Sequence, residues 1–380
     1  MGLARVNTIR SFLSSDKSCP SRIGDSHKDL IMGSNRITNI EIDSDKNVIQ
    51  ESTWGKKELA EYKVDLLKLC GFGCTYCSSN GGMHISMQLQ TISDAFTEAK
   101  GKKFDRYDVG DIVITLKGVL DTLQRQLDDR RRPWGKGKTL AFCQLTDGFS
   151  PHLLRTGTTR RALEMLIDRT EFRIRVLTKS AIVGRPEWIR FFSDHADRFV
   201  VGLSIGSLND IWARCVERLT SVPTSRVKAL HALQDAGIPT YGMLCPMFPE
   251  VLDGDHIERL MEAIRPDLCE HVWAEPFNDR DNWEYVRKCY FEGSTMWNWM
   301  TDVYENGRQD LWSDYATALY QRLKSKAASD GWMKKLRYLL YEDGIVASDA
   351  AAFEGLDGVL LQSKPRLDGR SRNKAIAALQ

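Results

Sequence analysis

The sequence alternates regularly between strand-like and helix-like segments from Lys138 to Phe277, and this pattern limits the possible folds more than any other feature. The strand-like runs are apolar and rich in β-branched residues, and they are Thr139–Leu145, Phe172–Thr178, Phe199–Ile205, Thr240–Met247 and His271–Phe277. The helix-like stretches between them lie at about 155–169, 186–196, 222–236 and 254–265. Strands that alternate with helices of about 10–15 residues indicate βαβ units and a parallel sheet.

The segment before this alternation adds a further strand. Glu61–Leu69 is interpreted as a strand that leads into a Gly-rich turn at Cys70, 99–110 as a loop, and Asp111–Arg130 as an amphipathic helix. With the strand before Cys70 included, the sequence predicts six strands separated by helices. The predicted fold class is therefore α/β, either as an open doubly wound sheet or as an incomplete barrel.

The flanking segments differ from this core in composition, so the sequence predicts three regions. Residues 1–60 are polar and weakly periodic, and we interpret them as an N-terminal extension with short elements at most. Residues 61–277 form the predicted core domain. Residues 278–380 are interpreted as a mostly helical, aromatic-rich extension with one short strand at Leu336–Tyr341. Stacking on nucleic-acid bases is one use for its tryptophans, but packing within a C-terminal cap is the favoured interpretation.

The composition excludes several classes of protein. The 380 residues carry 53 Lys and Arg against 51 Asp and Glu, and 42% of them are hydrophobic, which is typical of a globular protein and not of a disordered one. No apolar run approaches the roughly 18–20 residues of a transmembrane helix. The segment from Met1 to Cys19 lacks the apolar core of about 7–15 residues that a secretory signal needs. We therefore expect a cytoplasmic protein with no membrane partner, and the net charge of +2 neither supports nor excludes nucleic acid.

The cysteine content is the unusual part of the composition. Three of the nine cysteines lie close together, at Cys70, Cys74 and Cys77. The others stand singly, at Cys19, Cys143, Cys215, Cys245, Cys269 and Cys289. In a reducing compartment, clustered thiols bind metal or take part in redox chemistry more often than they form disulfides. We expect the single cysteines to be buried thiols.

The three clustered cysteines have the spacing C-x3-C-x2-C, with glycines inside the loop. Glycine lets the backbone fold tightly around a cluster and turn its amides towards the sulfur atoms. A structural zinc site needs four ligands, and His84 is a candidate for the fourth, but no second ligand pair stands at finger spacing. Unrelated buried cysteines are a further alternative. An iron–sulfur cluster with three protein ligands and one open iron is the favoured interpretation.

Tyr76 stands directly before the third cysteine, and with it the motif resembles the signature of the radical S-adenosylmethionine (radical SAM) superfamily. The resemblance implies a partial (β/α)6 barrel of the TIM type over about residues 61–277, with the motif in the loop after the first strand. Within the superfamily, the chain is most similar to the spore photoproduct lyase and DNA-repair-photolyase-like group. The segments that carry this similarity are Leu145–Asp147, Arg175–Ser180, Val201–Ile205 and Arg226–Pro239.

The resemblance implies the cofactors and the type of reaction. Cys70, Cys74 and Cys77 would ligate a [4Fe–4S] cluster, whose open iron binds the amino and carboxylate groups of S-adenosylmethionine. One electron from the reduced cluster would then cleave the sulfonium bond to give methionine and a 5′-deoxyadenosyl radical, which abstracts hydrogen from a substrate. The resemblance also implies a reductant such as flavodoxin or ferredoxin as a partner.

Three polar residues follow three different predicted strands, where sites in such folds gather. By resemblance, Thr146, Lys179 and Ser204 align with positions that contact the cofactor, the two hydroxyl groups as hydrogen-bond partners and Lys179 as a cation towards carboxylate or ribose. The alternatives are caps at strand ends for the hydroxyl groups and a solvated surface charge for Lys179.

Three further residues are candidates for binding the cofactor. Tyr76 is expected to pack near adenine, and the backbone around Leu244 and Cys245 is expected to meet adenine at the end of the fifth strand. Arg226 begins the helix after the fourth strand and is a candidate for the carboxylate of S-adenosylmethionine, with a surface position near the helix N-terminus as the equal alternative.

Cys143 is a candidate catalytic residue, because photoproduct lyases use a cysteine near the end of the second strand as a hydrogen-atom donor. Here Cys143 lies three residues before Thr146, whereas that group has two. In a strand, the odd offset turns the side chain to the opposite face, which favours a core cysteine and counts against spore-photoproduct repair itself.

The sequence leaves the substrate open between three hypotheses. A radical SAM enzyme of lyase or oxidoreductase type could act on nucleic acid, for which the basic stretch from Arg130 to Lys138 would suit a phosphate contact, although such a stretch is more often a solvated loop. It could instead act on a peptide or small metabolite. The third hypothesis is a non-catalytic metal-binding protein.

Overall fold

A computed structural model describes residues 38–44, 47–79, 89–104, 112–130, 133–350, 353 and 358–362. The strands within these residues are β1 (Thr38–Asp43), β2 (Ile49–Glu51), β3 (Tyr62–Val64), β4 (Leu67–Leu69), β5 (Ile112–Lys117), β6 (Thr139–Phe142), β7 (Arg173–Thr178), β8 (Phe199–Ser204), β9 (Thr240–Met247), β10 (Cys269–Pro276), β11 (Leu336–Tyr341) and β12 (Val359–Gln362). The α-helices are α1 (Leu89–Lys100), α2 (Val119–Asp128), α3 (Pro151–Arg155), α4 (Thr158–Arg169), α5 (Pro186–Ser193), α6 (Asp210–Val216), α7 (Pro223–Asp235), α8 (His256–Ile264), α9 (Trp283–Arg287), α10 (Thr295–Met300), α11 (Gln309–Ser329) and α12 (Ala347–Ala350).

The main sheet has nine strands in the order β12-β11-β10-β9-β8-β7-β6-β3-β2. Its strands run parallel except β2, which pairs antiparallel with β3 at one edge. From β6 onwards, neighbours in the sheet are consecutive in the chain, as in a barrel, but β2 and β12 remain edge strands among the described residues. The predicted α/β class with an incomplete barrel is therefore confirmed, and the strands predicted between 139 and 277 are β6 to β10.

The predicted helices between these strands are confirmed as α4, α5, α7 and α8, and they pack on one face of the sheet. The local signals explain the bounds of two of them. Pro186 occupies the first turn of α5, where the missing amide hydrogen costs nothing. Gly237 follows α7 with a φ of +71°, which is the left-handed conformation that ends many helices.

Two predictions for residues 61–130 were wrong. The predicted strand Glu61–Leu69 is two strands in two sheets, since β3 belongs to the main sheet while β4 pairs with β5 in a small sheet of order β1-β5-β4. The predicted helix Asp111–Arg130 is β5 followed by α2. The run Ile112–Leu116 is buried throughout, so it carries no strand alternation, and its apolar residues fit either period. The loop predicted at 99–110 begins only after α1, and 105–110 lie outside the described residues.

The C-terminal region adds both helices and strands to the core. The strand predicted at Leu336–Tyr341 is confirmed as β11, and together with β12 it extends the main sheet beyond β10. Trp312 of α11 is 3% exposed, and its indole nitrogen donates to the carbonyl of Phe277 at 2.8 Å. This burial supports packing over base stacking for that tryptophan. None of the described helices is both long and apolar enough to cross a membrane.

The face of the main sheet opposite the helices, called the inner face below, is covered by residues 52–60. Leu59 packs there with buried side chains from successive strands, namely Val200, Tyr241, Met243, Trp273 and Leu339. Arg175 of β7 donates to the carbonyl of Leu59 at 2.7 Å, and the Trp273 indole donates to the carbonyl of Lys57 at 2.9 Å. Residues 52–60, which the sequence analysis assigned to the N-terminal extension, thus pack as part of the hydrophobic core.

Candidate active site

The cysteine loop, residues 70–77, follows β4 at the carboxyl ends of the parallel strands. Gly71 and Gly73 adopt φ values of +78° and +68°, which residues with a Cβ atom adopt only at a cost. The amide of Cys77 donates to the carbonyl of Cys74 at 3.2 Å and closes a turn between the second and third cysteines. The glycine positions therefore set the path that brings the three cysteines together.

The cysteine loop is held against the segment after α6. The amide and hydroxyl of Thr75 donate to the carbonyl of Val216 at 2.9 and 3.1 Å, and the amide of Leu219 donates to the carbonyl of Phe72 at 3.1 Å. The Cys74 thiol lies 3.8 Å from the carbonyl oxygen of Glu217. These contacts tie the cysteine loop to the backbone of residues 216–219.

The three clustered thiols lie close enough to influence one another. Burial raises the pKa of Cys70 to about 12, and the nearby Cys77 and Asp147 add to the effect. Burial also raises the pKa of Cys74 well above its ordinary value, while the ammonium group of Lys179 acts in the opposite direction. Over the described residues, no three His, Cys, Asp or Glu side chains converge closely enough to bind a single metal ion. His84, the candidate fourth zinc ligand, lies outside the described residues.

Tyr76 is anchored by a buried ion pair that the sequence analysis did not identify. Its hydroxyl donates to Glu217, whose other carboxylate oxygen pairs with Arg226, and both side chains of the pair are 1% exposed. Arg226 also donates to the carbonyls of Ser204 and Ser221, each at 2.6 Å. Burial raises the pKa of Glu217, but Arg226 and Lys179 more than offset this and hold it below its ordinary value. The guanidinium of Arg226 is thus occupied by protein groups.

Lys179 lies between the cysteine loop and the ends of the facing strands. Its side chain is half-buried, and its Nζ atom lies 5.5 Å from the centre of the Tyr76 ring. Burial lowers the pKa of Lys179, but Cys74 and Glu217 more than offset it, so the side chain remains a cation. Its Nζ atom forms no hydrogen bond or ion pair with any residue that the structure describes. A cation with unused donors therefore stands beside the second cysteine.

The residues after β6 adjoin the same site through Asp147. Its carboxylate accepts from the Thr178 hydroxyl at 2.7 Å and from the Lys179 amide at 2.8 Å, which joins the ends of β6 and β7. The side-chain oxygen of Thr146 is buried and has no hydrogen-bond partner among the described residues. A buried hydroxyl without a partner is costly, so a ligand group at this position would stabilise the site.

Ser204 and Cys245 meet at the ends of β8 and β9. The Ser204 hydroxyl donates to the carbonyl of Cys245 at 2.6 Å, so it is already satisfied by the protein. The Cys245 thiol lies 3.4 Å from the Glu275 carboxylate, and burial together with Glu275 raises its pKa well above the ordinary value. Lys179 also acts on Cys245, which places this thiol next to the cluster of charges around the cysteine loop.

Cys143 follows the last residue of β6 and is 3% exposed. Because Cys143 has a φ of +59°, the strand β6 ends before it, at Phe142. The argument from strand alternation therefore does not give the direction of its side chain. Its sulfur lies against Gly148, where a Cβ atom would come within 3.0 Å of it. The thiol packs in the core between the sheet and the helices, as the core-cysteine interpretation predicts.

The remaining single cysteines differ from one another. Cys269 is buried, and Cys289 is half-buried; both carry thiol groups. Cys215 is half-buried, and its carbonyl lies 3.3 Å from the Cys289 thiol. Cys19 lies outside the described residues.

The basic stretch precedes β6, whereas the cysteine loop and the other site residues follow the carboxyl ends of the parallel strands. Arg130 lies over the Trp134 ring at 5.0 Å, and Lys138 pairs with Glu61 at 3.4 Å. Arg131 and Arg132 lie outside the described residues. The described part of the stretch is therefore at the opposite rim of the sheet, and a phosphate contact by this stretch stays a prediction.

A cavity of about 300 Å³ opens beyond the cysteine loop, between the loops that follow β8 and β9. Trp212, Phe248, Asp253 and His256 are among the residues that line it. Phe248 separates it from Tyr76, since the two rings pack with their centres 5.9 Å apart. Burial raises the pKa of Asp253 to about 6, although the charge of Arg322 acts in the opposite direction.

Comparisons with known proteins give distant matches. No protein-family model matches the chain. The uncharacterized protein ORF301 of Acidianus two-tailed virus is 24% identical over 200 residues, which is 50% of this chain and 65% of that protein. The match therefore spans just under two thirds of the length of this relative.

Among solved structures, the chain is similar to spore photoproduct lyase complexed with dinucleoside spore photoproduct, with a TM-score of 0.38, 16% identity and coverage of 63% of this chain and 61% of that one. It is also similar to anSMEcpe with bound AdoMet, with a TM-score of 0.33, 10% identity and coverage of 55% and 51%. TM-scores below 0.5 leave substrate and reaction undecided.

Proposed function

We propose that the protein is a radical SAM enzyme in which Cys70, Cys74 and Cys77 hold a [4Fe–4S] cluster. The observation that carries the proposal is the cysteine loop itself, in which three buried or half-buried thiols stand at the carboxyl ends of parallel strands beside the cation Lys179. Thiolates are the ligands of such clusters, and three of them leave one iron for another ligand. When bound, the cluster supplies one electron for the cleavage of S-adenosylmethionine into methionine and a 5′-deoxyadenosyl radical.

The residues around the loop suit S-adenosylmethionine. Lys179 offers unused N–H groups and a positive charge to the carboxylate of the methionine part. Thr146 offers a buried hydroxyl that lacks a partner among the described residues, which suits a ribose or amino group. Tyr76 offers the face of a ring that Glu217 holds in place. Each group would bind or orient the cofactor and exclude water from it.

Arg226 and Ser204 take supporting roles in this proposal. The guanidinium of Arg226 is fixed on Glu217 and on two carbonyl groups, so it positions Tyr76 through Glu217. The Ser204 hydroxyl orients the backbone of Cys245, whose amide and carbonyl groups lie where the resemblance places adenine. Direct contact of either side chain with the cofactor stays a prediction.

The substrate that we propose is a nucleic acid, in line with the sequence resemblance to the photoproduct-lyase-like group. A reductant such as flavodoxin or ferredoxin would deliver the electron. Burial of Cys143 in the core supports leaving it out as a hydrogen-atom donor, while abstraction of hydrogen from the substrate is the task of the 5′-deoxyadenosyl radical.

Anaerobic reconstitution tests the proposal. The wild-type protein should bind iron and sulfide and show the visible absorbance of a [4Fe–4S] cluster. The Cys70→Ala/Cys74→Ala/Cys77→Ala variant should bind neither and lack this absorbance. A Cys269→Ala/Cys289→Ala variant removes two thiols outside the loop and should keep the cluster. With dithionite and S-adenosylmethionine, the cluster-loaded protein should release 5′-deoxyadenosine. Uptake of one zinc ion in place of iron, or a loaded protein that releases no 5′-deoxyadenosine, would contradict the proposal.

A further inference from the structure

A second group of charged side chains lies on the inner face, adjacent to Cys245. Lys57 comes from the segment that crosses the inner face, Arg280 from the loop after β10, and Tyr341 from the end of β11. Glu275 near the end of β10 completes the group. Three parts of the chain that are far apart in sequence therefore converge at one place.

Two cations donate to a single oxygen in this group. The Nζ atom of Lys57 donates to the Tyr341 hydroxyl at 2.8 Å, and a guanidinium nitrogen of Arg280 donates to the same oxygen. The two cations lie 5.2 and 4.5 Å from the centre of the Tyr341 ring. Because both lone pairs of the hydroxyl are used, its own hydrogen must point to another acceptor. None of the described residues supplies that acceptor.

The charges of the group do not balance. Glu275 is the nearby carboxylate, and its Oε1 atom lies 3.7 Å from Arg280. Its Oε2 atom accepts from the Cys245 thiol. Lys57 forms no ion pair with the described residues, and it remains protonated because Glu275 and Tyr341 more than offset the lowering of its pKa by burial. Among the described residues, the group thus has two cations, one anion and several N–H and O–H donors that find no acceptor.

The side chains of the group are sheltered but not sealed. Tyr341 is 3% exposed, while the side chains of Arg280 and Glu275 are 27% and 14% exposed. A ligand can therefore reach the donors and still be partly withdrawn from water, where ionic hydrogen bonds are stronger. The ligand that this arrangement suits is an anion with several acceptor oxygens.

We propose that Lys57, Arg280 and Tyr341 form a binding subsite for a phosphate group of the substrate. A phosphate offers oxygens in several directions at once, so an ammonium, a guanidinium fork and a phenol hydroxyl can each bind one of them. Cys245 connects this subsite to the cofactor site, because its thiol lies 3.4 Å from the Glu275 carboxylate and its carbonyl accepts from Ser204. The assignment of this phosphate to the substrate rests on the proposed function. The binding of phosphate at this place does not rest on it.

Equilibrium binding to the reconstituted protein tests the subsite without S-adenosylmethionine or reductant, so the result is independent of the deoxyadenosine assay. The probes are the dinucleoside monophosphate TpT, its methylphosphonate analogue with a neutral linkage, thymidine 5′-monophosphate and inorganic phosphate. TpT or the monophosphate should bind at least about tenfold more tightly than the neutral analogue, which corresponds to about 1.4 kcal/mol. Inorganic phosphate should compete with the charged ligand for the subsite. The tighter of the two charged ligands identifies whether the phosphate is a diester or a monoester.

Variants locate the binding on these side chains. Lys57→Gln and Arg280→Gln should each weaken the charged ligand about tenfold and leave the neutral analogue unchanged. Tyr341→Phe removes only the hydroxyl. It tests the subsite if a variant that removes a charge fails to fold, and it should also weaken the charged ligand. Arg130→Gln and Lys138→Gln at the opposite rim are the matched controls and should bind as the wild type does. Equal binding of charged and neutral ligands, or unchanged binding in Arg280→Gln and Tyr341→Phe, would overturn the proposal.

Discussion

Glu217 joins the cysteine loop to the strands that face it. It accepts from Tyr76 and pairs with Arg226, which in turn holds the carbonyl of Ser204. A buried ion pair of this kind contributes little net stability, but removal of one partner leaves the other as an uncompensated buried charge. The role of Glu217 at the site can therefore be separated from its role in folding only by changing both partners.

Glu217→Ala should lower the free energy of unfolding by about 3–5 kcal/mol, because Arg226 is left buried without its partner. Glu217→Ala/Arg226→Met removes both charges and should recover part of that loss, because the carbonyls of Ser204 and Ser221 still lose their donor. Urea unfolding of the wild type, Glu217→Ala, Arg226→Met and the double variant measures the coupling between the two residues. Glu258→Ala is the control, since its pair with Arg322 is about one third exposed and should cost at most about 1 kcal/mol. Strictly additive single effects would show that the pair is not coupled.

The raised pKa of Asp253 predicts that the stability of the protein depends on pH. Its pKa in the folded protein is about 6, raised by burial from 3.8. A raised pKa means that the folded state holds the proton more tightly, so this contribution is present below pH 3.8 and is lost as pH rises through 6. Wild-type stability should therefore fall relative to Asp253→Asn between these values and then level off.

Unfolding midpoints of both proteins at pH 4, 5, 6 and 7 measure this difference. Asp310→Asn is the control, because hydrogen bonding to Arg308 lowers the pKa of Asp310 below 3.8. Its stability should run parallel to that of the wild type across the same range. A constant difference between the wild type and Asp253→Asn would contradict the prediction.

Among the structural elements, the cysteine loop depends most on backbone conformation. Gly71→Ala and Gly73→Ala should each lower the free energy of unfolding by about 1–2 kcal/mol, because alanine adopts positive φ values at that cost. Each should also reduce the iron bound per chain, since relief of the strain moves the cysteines. Gly237→Ala is the matched control: its φ is +71° and the space around it is open. It should cost similar stability and leave the iron content unchanged. An equal loss of iron in all three variants would contradict this account.

The elements that the sequence predicted well are those with a local signal. The strands and helices from β6 to β10 were predicted from the regular alternation of apolar strand-like runs with helix-like stretches, and the cysteine spacing is complete within eight residues. The run Ile112–Leu116 failed because only Lys117 and Gly118 separate it from α2, so its apolar residues were counted with those of the helix. Glu217, Lys57 and Tyr341 gave no signal at all, because their importance comes from partners that are far away in the chain. Lys57 and Tyr341, for instance, are 284 residues apart.

At the scale of the whole molecule, the predicted core of residues 61–277 shares its packing with both flanking regions. Leu59 covers the inner face, and Leu339 of β11 packs beside it. On the other side, the Tyr315 hydroxyl contacts the carbonyl of Met247, and the Trp312 indole donates to the carbonyl of Phe277. β11 also pairs with β10. Removal of the flanks would expose buried aromatic rings, unpair the edge of β10 and leave the carbonyl of Phe277 without its indole donor.

A fragment of residues 61–277 should therefore fail to fold cooperatively, although it contains every cysteine of the loop. We expect it to bind a hydrophobic dye, to lack a sharp unfolding transition and to lose iron on gel filtration, whereas the full chain shows the opposite in each measurement. The physical reason is that an inner face without its cover presents apolar area that costs about 25 cal/mol per Å² in water. A full chain with Leu59→Asp tests the same cause without truncation, because it places a charge in the cover. A cooperative, iron-binding fragment would instead show that the core folds without its flanks.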